Sequence, residues 1–189
     1  MRTFIVAAAL AVLAAPVQAQ TSPAVDQGVI QGPLSSATKT FVADAAMTGM
    51  FAIAAGRLAL KRADGPAYLD VAQLMIADHS TISTQLKRLV SGAPDVQLPL
   101  ELDRAHRAKV DQLGSLSGAA FERQYKAEQL QGQRRAIEMF QTYVESGDNP
   151  DLKGWAARRL TTLKAHLQHA EALPDPGPAP TTGSEPGTR

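Results

Sequence analysis

Between residues 38 and 173, apolar side chains recur at steps of three and four in four long runs separated by turn residues. That is the pattern of amphipathic helices sharing one core. The runs predict helices over 38–61, 66–91, 118–146 and 150–173, with a short extra helix near 100–112 in the connection between the second and third. In the second run Tyr68, Ala72, Met75, His79, Ile82, Leu86 and Leu89 alternate steps of four and three, a seam suited to a left-handed bundle, and His79 falls in its middle. In the third run Leu130, Gln133, Ile137, Phe140 and Val144 form the stripe, extended backwards by Tyr125 and Phe121, with Gln133 as its polar interruption. The fourth runs through Leu152, Ala156, Leu160, Leu163, Leu167 and Ala170, with His166 one position off it. The first run is rich in small residues: Phe41, Ala45, Met47, Met50, Phe51, Ala54, Ala55 and Leu58 face inward, while Gly49 and Gly56 each cost about 1 kcal/mol relative to Ala.

The turn residues fix the order of these helices. Asp64-Gly65-Pro66 places a proline at a helix start, and Gly147-Asp148-Asn149-Pro150 offers a terminating glycine, a capping Asp or Asn and another proline. Each short turn makes its two helices antiparallel neighbours. The connection over 92–117 is long enough for a crossover, so the expected fold is all-α, an up-down four-helix bundle with one long crossover, the ferritin-like arrangement.

The ends differ from the middle. Met1-Arg2-Thr3 is a short basic start, residues 4–15 are an apolar run, and Val17-Gln18-Ala19 has the small residues of a cleavage site. Residues 1–19 therefore read as a secretory signal peptide, the run being interrupted by Pro16 and Gln18 before it reaches the length of a membrane span. Residues 20–37 are expected to be a disordered linker, 38–173 the bundle, and the Pro/Gly-rich 174–189 a disordered tail. The expected location is the bacterial periplasm, with secretion or envelope association as variants, and no transmembrane span after signal removal.

Composition narrows the function. The 189 residues carry a formal charge of +1, and loss of Arg2 with the signal leaves basic and acidic side chains equal in number. Such a chain lacks the basic footprint of a nucleic-acid partner, and with 5% aromatic residues it has few rings for base stacking. Having no cysteine, it has no disulfide frame, thiolate metal site or thiol nucleophile.

Several segments carry a resemblance. Phe41-Val42 with Ala45-Ala46-Met47-Thr48-Gly49-Met50-Phe51, then Met75-Ile76-Ala77-Asp78-His79-Ser80, then YVESGDNP from Tyr143 to Pro150, and LTTLKAHL from Leu160 to Leu167 resemble the exported bacterial proteins grouped as domain of unknown function 4142. The resemblance runs in order through about 135 residues, and its most specific piece is the Asp-His pair followed by a small hydroxyl residue. It implies a ferritin-like four-helix fold and no established activity. It also implies glutamates where this chain has Ala52 and Ala54 and a histidine where it has Gln133, while the family's histidines carry over as His79, beside Asp78, and His166.

The chemistry-bearing residues are few. A ferritin-like di-iron centre needs glutamates and Glu-x-x-His pairs, and this sequence contains no Glu-x-x-His. His79 on its apolar seam reads as a buried imidazole hydrogen-bonded to Gln133 or His166, these three forming a structural polar core. Asp78 points about 100° away and reads as a surface carboxylate. His166 and His169, three apart, read as solvent-facing, and so does the Asp103-x-x-His106 pair, although each spacing is compatible with one transition metal ion. His79-Ser80 is not a nucleophile pair, because adjacent side chains diverge on a helix. Neither a Gly-x-Ser-x-Gly elbow nor a phosphate or dinucleotide loop is present. The doublets Lys87-Arg88, Arg134-Arg135 and Arg158-Arg159 read as solvated faces, and Met47, Met50, Met75 and Met139 as core filler.

The sequence therefore predicts an exported, non-enzymatic helical bundle without a cofactor, a periplasmic interaction or stress-related accessory protein with an unidentified protein or envelope partner. The alternative is a metal-binding or redox protein holding a transition metal ion in a diverged ferritin-like site of His79, His166, His169 and Asp78.

Overall fold

A computed structural model describes residues 28–177, and the expected signal peptide, residues 20–27 of the linker and residues 178–189 of the tail lie outside them. The described residues form an all-α helical bundle of five helices: α1 (Ser36–Arg62), α2 (Pro66–Leu89), α3 (Arg104–Gly114), α4 (Gly118–Ser146) and α5 (Pro150–Ala172). α1 packs along α2, and α4 along α5; α1 also meets α4 and α2 meets α5, closing a four-helix ring. The short α3 rides over α1 and touches α4.

Each helix begins where its turn chemistry dictates. Ser35 caps α1 by accepting from the Thr38 amide, Asp103 caps α3 through the His106 amide, and Asn149 caps α5 through the Leu152 amide with Pro150 at the first position. α2 starts at Pro66 behind Gly65, which has no side chain to offer. Its cap comes from afar: Glu122 Oε1 accepts from the backbone amides of Asp64 at 2.9 Å and Gly65 at 2.7 Å, bolting α4 to the α1–α2 turn. At the opposite end the Thr38 hydroxyl contacts Tyr143 Oη at 2.6 Å and donates to Asp148, and Phe41 stacks on Tyr143 with centroids 3.9 Å apart. The YVESGDNP segment thus ties the start of α1 to the α4–α5 turn.

Three expectations need correction. The short helix begins at Arg104, not 100, because Asp103 is its cap. The inward stripes of α4 and α5 are rotated: Gln129, Ala136 and Tyr143 are buried on α4 while Leu130, Ile137 and Val144 are half-buried, and on α5 Trp155 and His166 are buried while Leu160 and Leu167 are half-buried. Each helix has two neighbours in the ring and buries a wider face than one stripe. Finally, the flanks nearest the bundle are packed. Ile30 and Leu34 are buried, with the Ile30 amide donating to Leu89 O at 2.8 Å and the Leu34 amide to Asp95 Oδ1 at 3.1 Å. After α5, Tyr68 Oη donates to Pro174 O at 2.7 Å and Lys126 Nζ to Leu173 O at 2.6 Å.

The interior divides into two apolar clusters. One gathers Phe41, Ile82, Leu86, Phe140, Trp155 and Leu163 with Ile30 and Leu34; the other gathers Phe51, Tyr68, Met75, Phe121, Tyr125 and Leu173. Along the helices the two meet at one level, between Met75 and Ile82 on α2, Tyr125 and Ala136 on α4, and Leu163 and Leu173 on α5. His79, Gln133 and His166 occupy that level.

Candidate functional site

His79, Gln133 and His166 are 2%, 4% and 1% exposed, so the expected polar core is buried as a layer between two greasy halves. α2 places His79 one turn beyond Met75, α4 supplies Gln133 and α5 supplies His166. The two imidazole rings lie with centroids 5.2 Å apart at 40°. Their hydrogen bonds differ from expectation: Gln133 Nε2 donates to Met75 Sδ at 3.6 Å, and His166 Nε2 lies 2.8 Å from Asp78 Oδ2. His79 Nε2, His166 Nδ1 and Gln133 Oε1 are buried without a partner.

Asp78 is therefore more than the surface carboxylate expected from its place on α2. Its side chain is 37% exposed at the rim yet reaches His166 on α5. A carboxylate oxygen only accepts, so Nε2 of His166 carries the ring hydrogen and Nδ1 presents a lone pair to the interior. Burial pushes the His79 pKa down to about 3, with His166 adding to the shift and Asp78 opposing it. Burial lowers that of His166 as well, against the opposing bond from Asp78. Both rings are neutral at physiological pH. Arg159, two turns before His166 on α5, is half-buried, has its Nε unpartnered and is within electrostatic range of Asp78.

The other candidates stay apart from this layer. His169 is exposed, so the i,i+3 pair does not converge; of the two readings of His166, with the polar core or with a solvent-facing pair, the buried one holds, because the residue lies on the true inner stripe of α5. His106 Nδ1 sits 2.9 Å from Asp103 Oδ1 on α3, far along the chain from both. Among the described residues no three His, Asp or Glu side chains gather closely enough to hold a metal ion by themselves. Of the doublets, Arg134 reaches Glu171 at 3.5 Å and Arg159 turns inward. Met75 is core, whereas Met47 and Met139 line an open cleft of about 410 Å³ between α1, α3 and α4. Phe51 lies in that cleft, with the His106 ring 5.5 Å away and Lys109 Nζ 5.7 Å from its centroid. Sequence reasoning missed this cleft, whose walls come from three separate helices.

Glu122 and Glu128 were also missed, being acids on the buried face of α4. Glu128 accepts from Lys109 at 2.7 Å, fastening α3 to α4. Their signal was present in the spacing, since both fall three residues from Tyr125.

No curated protein and no solved structure matches the chain at a significant level. A family model described as Domain of unknown function (DUF4142) matches residues 23–173, which takes in all five helices and the packed N-terminal flank. With most of its length matched, the chain belongs to the DUF4142 family.

Proposed function

We propose that this chain is an exported, non-enzymatic member of its family, a ferritin-like bundle of the bacterial periplasm that works by binding and not by turnover. The observation that carries this reading is where the reactive side chains sit: His79 and His166, with ring centroids 5.2 Å apart, are 2% and 1% exposed, too deep for an organic substrate to meet them, while the open cleft between α1, α3 and α4 is lined by apolar and polar side chains together. A general acid or base must reach the proton it transfers. Export is tested by expressing the full-length chain in a Gram-negative host, fractionating it and reading its N-terminus. A mature chain starting at Gln20 in the periplasmic fraction is expected; an intact Met1 chain in the cytoplasm overturns the assignment.

A second reading, metal binding, is favoured by one observation: two neutral imidazole nitrogens, His79 Nε2 and His166 Nδ1, are buried without partners on rings 5.2 Å apart. Unpaired buried polar atoms cost about 1–3 kcal/mol each, and a bound cation would satisfy both. His169, exposed, is outside such a site, and Asp78 supports it from behind His166. Metal content of the untagged protein, with melts before and after chelation, tests it: a metal-free protein whose melt ignores chelator excludes it.

A further inference from the structure

Resting on the metal-binding reading and sharpening it, we propose that the polar layer is a site for one monovalent copper ion, Cu(I), held by His79 Nε2, His166 Nδ1 and the thioether of Met75.

Three features of the layer converge on an ion. The two ring nitrogens that lack partners belong to neighbouring rings on facing helices, α2 and α5. Two imidazoles on one ion, with metal–nitrogen bonds of about 2.0 Å and a near-tetrahedral angle, have centroids about 5 Å apart. The observed separation is 5.2 Å. His166 also gives its other nitrogen to a carboxylate, Asp78, at 2.8 Å, which is the arrangement that orients a metal-ligating histidine and raises its basicity.

The donors then select the ion. Among the described residues no third His, Asp or Glu stands with the two free ring nitrogens, Asp78 being engaged on the far side of His166, so the set is completed from Met75, fully buried one turn before His79, and Gln133, whose amide touches the Met75 sulfur at 3.6 Å. Imidazole suits zinc and copper alike, but a thioether is a soft donor that favours Cu(I). Charge points the same way. Every donor is neutral, and the carboxylate bonded to the layer, Asp78, is also within electrostatic range of Arg159. A divalent ion would leave two positive charges in a sealed apolar interior, whereas Cu(I) leaves one.

The test uses the mature protein, metal-free and anaerobic, titrated against a chromophoric Cu(I) chelator, with Zn(II) titrated in parallel against its own indicator. One equivalent of Cu(I) per chain is expected to leave the chelator, with Zn(II) held at least a hundredfold more weakly. Competition should vanish in His79→Leu and His166→Leu, and fall about tenfold in Met75→Leu and in Asp78→Asn. Far-ultraviolet circular dichroism identifies any variant that fails to fold, and His79→Gln, which keeps a polar side chain, serves as the second variant at that position. X-ray absorption at the copper edge should find sulfur among the ligands, and a shell of nitrogen and oxygen alone overturns the role of Met75. Zn(II) bound as tightly as Cu(I) overturns the copper assignment and leaves metal binding standing. If wild-type protein retains neither ion, both readings fall.

Discussion

Asp78 and His166 lie 88 residues apart in sequence and meet at 2.8 Å across the α2–α5 contact, so that the residue beside His79 on α2 holds the ring that His79 faces. One turn of α2 therefore acts on His166 twice, with a carboxylate at its Nε2 and an imidazole against its ring. The consequence is a fixed tautomer: Nε2 donates outward to the rim, and Nδ1 looks into the core. Above and below, two apolar clusters bracket the layer.

Removing the carboxylate tests that relationship. In Asp78→Ala the ring N–H of His166 loses its acceptor, but the vacated rim position lets water approach, so the expected loss is about 1 kcal/mol, the low end for an unpaired buried donor. Urea melts of the metal-free protein measure it. A variant as stable as wild type would show that the bond contributes nothing to folding.

His79 discriminates between a buried and an exposed placement. His79→Leu removes an unpartnered polar atom from an apolar seam and is expected to be neutral or stabilising in metal-free protein. His79→Asp places an unpaired charge between Met75 and Ile82 and should cost about 3–5 kcal/mol. A harmless Asp in thermal melts would contradict the sealed layer.

Much of this architecture is legible in sequence, for reasons particular residues make plain. Pro66 and Pro150 mark helix starts because a proline fits only where no amide bond is needed, and the seam from Tyr68 to Leu89 is buried along its whole length. The burial of His79, Gln133 and His166 follows from helical spacing or lies one position from it. What spacing on one helix cannot encode is which helices face each other. Asp78 finds His166, and Glu122 finds the turn before α2, only once the ring has closed. The rotated stripe of α4 has the same origin: Tyr143 is buried because Thr38 and Phe41 of α1 pack on it.

Glu122 carries a cap that no local residue provides. Truncation in Glu122→Ala leaves the amides of Asp64 and Gly65 without their acceptor and should destabilise the protein by about 2–3 kcal/mol, as for hydrogen bonds to a charged group. Glu122→Gln keeps an acceptor oxygen of the same reach and should recover about half of that. Chemical denaturation gives the totals, and faster hydrogen exchange at those two amides localises the effect; unchanged exchange there would refute the capping role.

Gly92 is needed where the N-terminal flank crosses the end of α2. A Cβ at this position would lie 2.6 Å from Ile30 O and 2.6 Å from Gln31 Nε2, and the backbone oxygen is tied down by the pairing of residues 31 and 92. Gly92→Ala should therefore release the flank, exposing Ile30 and Leu34, and cost about 2 kcal/mol. Limited proteolysis is expected to cut the variant before α1 while leaving wild type intact. Equal resistance would mean that the flank adds no stability.

The neutral histidines make folding pH-dependent in a defined direction. Burial holds the His79 pKa down near 3 and lowers that of His166, while in the unfolded chain both return to about 6.5. Below that value the unfolded state binds more protons than the folded one, so stability is fully present above about pH 6.5 and drains away as pH falls, for His79 until about 3. Each ring adds a slope of up to about 1.4 kcal/mol per pH unit. The carboxyls of Asp95, Asp103, Asp148 and Asp175 are held below their usual range by Lys39, His106, Thr38 and Lys126 respectively, and their losses come lower, below the ordinary carboxylate pKa. Between pH 6.5 and 4.5 the histidine contribution is thus the steeper one. Urea midpoints of the metal-free protein at pH 7.5, 6.5, 5.5 and 4.5 should fall steadily, and the His79→Leu, His166→Leu double variant should flatten the curve over that interval. Parallel curves for the two proteins would place the protonation change elsewhere and refute the buried, neutral pair.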